Sequence, residues 1–71
     1  MEEWVKHYIE TRRKDGKSDE AIKAKAEERL EQTKKSLARL ESHAEQGGNV
    51  KTSIEHYKLG VTRLEAVIAA L

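Results

Sequence analysis

EQGGNV, residues 45–50, decides the fold of this chain. Upstream of it Ile22, Ala26, Leu30, Thr33, Leu37, Leu40 and Ala44 recur at steps of four and three, which places them on one narrow face of a helix. Downstream, Val50, Ile54, Tyr57, Val61, Leu64, Ile68 and Leu71 follow the same rule. Between the two runs, glycine supplies the positive φ at which a helix ends, and Asn49 follows as a side chain able to cap the next one. Two helices joined by so short a turn pack as an antiparallel hairpin with their apolar stripes facing each other.

A second break, KDGKSD at residues 14–19, repeats the logic with Gly16 as terminator and Ser18 as cap. The expectation is one all-α domain over residues 1–71, a three-helix bundle with helices near 2–14, 18–46 and 49–71. Charges fit the helix dipoles. Glu2 and Glu3 open the first helix, Arg12, Arg13 and Lys14 close it, and Asp19 and Glu20 open the second. At 1.5 Å per residue the first helix reaches roughly 20 Å and the second roughly 42 Å, so the first covers only half of the hairpin. Its short link to the second helix sets it beside the start of that helix and the end of the third. Trp4, Val5, Tyr8 and Ile9 are its apolar contribution, Leu64, Val67, Ile68 and Leu71 are expected to meet two neighbours, and small Ala24 and Ala26 make room for Trp4.

Composition limits the chemistry. Ala, Glu, Lys, Leu and Arg account for more than half of the residues, as in proteins built from long helices. In a chain of 71 residues the hydrophobic gain and the cost of chain ordering nearly cancel, and there is no interior for a deep substrate cavity or an enclosed cofactor. With no cysteine, disulfides and thiolate zinc sites are excluded. His7, His43 and His56 form neither a pair four residues apart nor a Glu-x-x-His motif, so they read as surface histidines and no metal is expected. The serines stand at caps or on helix surfaces without a visible His and carboxylate pairing, and the Gly-Gly-Asn turn lacks the Lys-Ser ending of a phosphate loop. The expectation is no enzyme and no cofactor.

Nucleic acid is also not expected. Arg12, Arg13, Lys14 and Lys17 cluster where the first helix ends, but the next helix begins Asp19-Glu20, the wrong sign for an element approaching phosphates. The net charge of +1 offers no long-range field for nucleic acid or an anionic membrane. No apolar run approaches the ~20 residues of a membrane span, and MEEW has the wrong charge to start a signal peptide. A soluble protein is expected, cytoplasmic if natural.

The third helix carries the functional signal. Thr52, His56, Leu59, Arg63, Ala66 and Ala70 form a second stripe directed away from its core stripe, extended by Glu55 and Thr62. This face holds little charge, whereas the matching outer face of the second helix is built from Glu27, Glu28, Glu31, Lys34, Lys35, Glu41 and Glu45. Ala and Thr with a single Leu also make an ordinary surface. The alternative is a recognition face, where small residues admit another backbone and Leu59 and Arg63 anchor it. Gly60, within the helix, has either a partner or the crowding of Trp4 and Tyr8 as its packing reason. The occupant is expected to be another protein or peptide, or a second copy through self-association.

Taken whole, the chain resembles computationally designed helical miniproteins. DEAIKAKAEERLEQTKKSLARLE has the Ala, Glu, Lys and Arg interior of that class, each connection is one glycine-marked loop, and Cys and Pro are absent. That resemblance implies a designed binder whose less regular helix, with His56, Tyr57, Leu59 and Gly60, faces its target. The segment LARLESHAEQGGNVKTSIEHYKLGVTRLEAVIAAL is similar to the hairpin co-chaperones of type III secretion needle subunits, which join two helices by a Gly-Gly turn and carry Leu64, Glu65 and Ile68 as an L-E-x-x-I segment. That likeness implies a small secretion co-chaperone, from which the first helix departs.

Overall fold

The computed structural model describes residues 2–71, and these form three helices in the order α1 (Glu3–Lys14), α2 (Asp19–Glu45) and α3 (Lys51–Ala70). α2 and α3 make the principal interface, and the short α1 leans on the pair, more on α3 than on α2. The molecule is a rod of 45 × 21 × 18 Å, its long axis set by α2.

The two glycine breaks close their helices in the same way. Gly16 takes φ 85° and Gly47 φ 91°. After α1, the Gly16 N–H donates to Arg13 O at 2.9 Å and the Lys17 N–H to Arg12 O at 3.1 Å. After α2, the Gly47 N–H donates to Ala44 O and the Gly48 N–H to His43 O, each at 3.0 Å. Both are Schellman closures, which satisfy the last helical carbonyls and need a left-handed residue at the turn. Gly48 plays a different part: a Cβ there would overlap the His43 ring, so the exposed histidine would have to turn aside.

The starts of the helices differ. Ser18 Oγ accepts the Ala21 N–H at 3.1 Å, as its position predicts. The Arg13 guanidinium grips both oxygens of Asp19 at 2.9 Å, tying the end of α1 to the first turn of α2. Asn49 does not cap α3. The closure after α2 engages both glycines and the reversal takes two more residues, so the helix starts at Lys51 with Val50 in the cap position and no side-chain cap. α3 therefore begins and ends without the charges that its dipole favours.

Every residue of the two apolar stripes is at least partly buried, but complete burial is confined to one end. Val5, Tyr8, Ile9, Ile22, Ala26, Leu64 and Val67 form the core, with Trp4, Leu30, Ala66, Ile68 and Leu71 packed against it. No residue between 27 and 63 is fully buried. The lengths explain this. Where α1 lies on the hairpin, three helices enclose an interior; beyond Trp4 two helices alone cannot. Ala26 is sealed beneath α1, whereas Ala24, expected to make room for Trp4, is exposed on the far side of α2.

Candidate functional site

The second stripe of α3 has two unlike halves. Toward its C-terminal end it runs into α1. The Arg63 guanidinium carbon is 5.1 Å from the centre of the Trp4 ring, and Arg63 Nε is 3.7 Å from Glu2 Oε1. The latter is an ion pair too long for a hydrogen bond, and Arg63 Nε is buried with no hydrogen-bond partner among the described residues. Ala66 is half-buried against the core cluster, and Ala70 lines a cleft with Glu3, Lys6, Ile9, Glu10 and Arg13. Arg63, Ala66 and Ala70 thus adjoin the seat of α1, which lies to the side of the hairpin.

Toward the Gly-Gly turn the same stripe is open. Thr52, Glu55, His56, Leu59 and Thr62 are exposed, and among the described residues Leu59, at 46%, is the large hydrophobic residue that the fold leaves in water. Thr62 Oγ1 turns back to donate to Lys58 O at 3.2 Å. His56 meets Tyr57 edge to face at 5.8 Å. Gly60 belongs to the inner side: a Cβ placed on it would sit 3.7 Å from Thr33 Cγ2, in ordinary contact with α2. Within the chain it is Thr33, and neither Trp4 nor Tyr8, that a Cβ at this position would touch.

On the other side of α3, facing Tyr57 and Leu64 and away from Leu59, a separate trough runs between α3 and α2 that the sequence pattern does not single out. Past the tip of α1, a cleft is lined by Trp4, Tyr8, Arg29, Thr33, Gly60 and Leu64. Next along the rod comes a depression lined by Ser36, Arg39, Leu40, Ser53 and Tyr57. Lys25, Gln32 and Arg39 recur every seven residues, as do Arg29, Ser36 and His43, so all six share this flank of α2, at whose edge Glu28 pairs with Lys25 at 3.6 Å. The charge pattern of α2 alone contains this signal. Only the position of α1 reveals that the flank borders a trough.

At the α1 end of the trough the aromatic contacts are consecutive. Trp4 and Tyr8 stack with ring centroids 5.2 Å apart, and the Arg12 guanidinium carbon lies 3.5 Å from the centre of the Tyr8 ring while Nη1 donates to Tyr8 O. The Tyr8 hydroxyl is buried and finds no hydrogen-bond partner among the described residues.

Among the described residues no group of three His, Asp or Glu side chains is placed to hold a metal ion, and no helix is long and apolar enough to cross a membrane. Comparison with protein-family models, curated proteins and solved structures finds no match to this chain.

Proposed function

We propose that this chain is a protein-binding helical module that docks a partner along the open half of the α3 stripe, with Leu59 at the centre and Thr52, Glu55, His56 and Thr62 around it. The observation that carries this reading is the exposure of Leu59, at 46%, on the helical face that adjoins α1 from one turn further on, at Arg63 and Ala66. A stripe already used for helix packing at one end is chemically suited to helix packing at the other. Arg63 stands at the junction, held by Glu2 and Trp4, and fixes the lower limit of the contact. The module works by binding, without catalysis or a cofactor, as the designed miniproteins that it resembles do.

A photo-crosslinking residue placed at position 56, next to Leu59, tests the reading in full-length chain. The adduct is expected to contain a second protein, with the crosslink mapping to one surface of that protein and lost in Leu59→Glu. Crosslinks scattered over unrelated proteins and unaffected by Leu59→Glu would overturn it.

Self-association is the second reading, favoured by the lack of any fully buried residue between 27 and 63. Sedimentation of the purified chain separates the two: a dimer dispersed by Leu59→Glu supports the second reading, and a monomer supports the first.

A further inference from the structure

The basic cluster that closes α1 is divided by the fold. Arg13 turns to Asp19 and holds both of its oxygens at 2.9 Å, beside a cleft shared with Glu3, Lys6, Ile9, Glu10 and Ala70. Arg12 and Lys17 line a different cleft, between the end of α1 and the first two turns of α2, with Ala21, Ile22 and Lys25 as its other walls. No carboxylate lines it. We propose that this second cleft binds a phosphate monoester through Arg12, Lys17 and Lys25. It is separate from the Leu59 surface and goes beyond the protein-binding reading.

The three cations are available. Among the described residues Arg12 and Lys17 form no ion pair. Glu28 approaches Lys25 at 3.6 Å, longer than a hydrogen bond, and both side chains are more than half exposed, so the pair is weak and Lys25 is free to turn into the cleft. Arg12 is already oriented. Its guanidinium carbon lies 3.5 Å from the centre of the Tyr8 ring and Nη1 donates to Tyr8 O, while Nε and Nη2 have no partner among the described residues. A guanidinium fixed in this way has less freedom to lose on binding an anion.

The arrangement selects the ligand. The cations come from three successive segments: the last turn of α1, the linker and the second turn of α2. Donors on three sides suit a tetrahedral, multiply charged anion, whereas a planar carboxylate with one charge engages fewer of them. Ala21 and Ile22 offer no side-chain hydrogen-bonding group, so the floor recognises no hydroxyl or amine and the anion itself must hold the ligand. At about 350 Å³ the cleft has room for a phosphate together with the group that carries it. A nucleic-acid strand fits less well. Asp15 at the end of α1, Glu20 in the first turn of α2 and Glu28 beyond Lys25 would meet its neighbouring phosphates with the same sign.

The test titrates three probes into the intact chain at constant ionic strength: inorganic phosphate, a short peptide with one phosphoserine, and the same peptide unphosphorylated. Backbone and arginine side-chain NMR signals report binding. Saturable shifts confined to residues 12–25, including Arg12 Nε, are expected with both phosphate probes and not with the unphosphorylated peptide. Arg12 is left in place, because its loss would uncover Tyr8. Lys17→Gln and Lys25→Gln are each expected to weaken binding about threefold, and together about tenfold, with the melting temperature near that of the parent because both residues are exposed. Lys34→Gln, on the opposite side of α2, is expected to leave binding unchanged. A phosphopeptide that binds more tightly than inorganic phosphate would assign the site to a phosphorylated side chain of another protein; equal or weaker binding would assign it to a small phosphorylated molecule. Absent or unsaturable shifts, the same shifts with acetate, or binding indifferent to the loss of both lysines would overturn the proposal.

Discussion

The Arg63 guanidinium lies over the Trp4 ring, 5.1 Å from its centre, while Leu59, one turn earlier on the same face of α3, is 46% exposed. This adjacency divides the stripe into a half that serves the fold and a half left over from it. Arg63→Ala is expected to destabilise the chain by about 1 kcal/mol, through the lost cation–π contact and the lost cover over Trp4. Leu59→Glu is expected to change stability by less than about 0.5 kcal/mol, the range of surface substitutions. Urea unfolding of the two variants checks the division: equal midpoints would show that the stripe is energetically uniform.

Gly60 supplies a second, independent measurement. It lies inside α3, where glycine costs about 1 kcal/mol relative to alanine. A Cβ here would be 3.7 Å from Thr33 Cγ2, an ordinary contact with nothing displaced. Gly60→Ala is therefore expected to raise stability by about 0.5–1 kcal/mol, read as a higher thermal midpoint. A lower midpoint would mean that α2 and α3 approach more closely at this point than the 3.7 Å spacing implies.

Most of the architecture was legible because it depends on local rules. The four-and-three spacing of the α2 and α3 stripes fixed which faces meet, and Gly16, Gly47 and Ser18 act as their residue types require. Asn49 misled because capping depends on where the preceding turn releases the chain, and the use of Gly48 in that turn is set by the Schellman closure. The candidate site was half legible. Its α3 bank, with Thr52, His56 and Leu59, followed from periodicity, whereas the role of Arg63 and Ala66 beside α1 depends on the side of the hairpin to which Trp4 is drawn. That is a contact between residues far apart in sequence, which no helical period encodes. The separate trough lined by Arg29 and Arg39, on the side of α3 away from Leu59, stayed hidden for the same reason.

The uneven core predicts uneven dynamics. Complete burial stops at Ala26 on α2 and resumes only at Leu64 on α3. Backbone amides of α2 after Leu37 and of α3 before Gly60 are expected to exchange with solvent faster than those of residues 22–30 and 61–68, by local opening from the Gly-Gly end. Hydrogen exchange resolved by residue checks this. A uniform rate along both helices would show that the hairpin end opens only with the whole domain.

The Tyr8 hydroxyl is buried without a hydrogen-bond partner among the described residues, and burying a hydroxyl in that state costs roughly 1–3 kcal/mol. Tyr8→Phe keeps the ring that stacks on Trp4 and underlies Arg12 while removing the unpaired group. Stability is expected to rise by about 1 kcal/mol in thermal unfolding, a conservative fraction of that cost. A clear loss would mean that the hydroxyl is satisfied in solution.

Asp19 gives the bundle a defined response to acid. The hydrogen bonds from Arg13 and the charge of that guanidinium hold its carboxyl below the ordinary value of 3.8, against a smaller opposing effect of desolvation. The same contact raises Arg13, which is ionised throughout the working range and adds no change on the alkaline side. Between its folded and unfolded pKa values Asp19 binds fewer protons in the folded chain than in the unfolded one, so stability rises with pH across that interval. The contribution is complete above 3.8 and is lost as pH falls through the folded value. Both partners are about half exposed, so the effect is small and screened by salt. Asp19→Asn is expected to lower the urea midpoint most at pH 6, with the difference from the parent shrinking toward pH 2 and weakening in high salt. Because Asp19 also sits in the first turn of α2, some loss at neutral pH reflects the helix dipole. The double variant Arg13→Ala/Asp19→Asn separates the two, since the ion pair alone makes its cost smaller than the sum of the single changes. Additive costs would show that Arg13 and Asp19 act independently on the junction between α1 and α2.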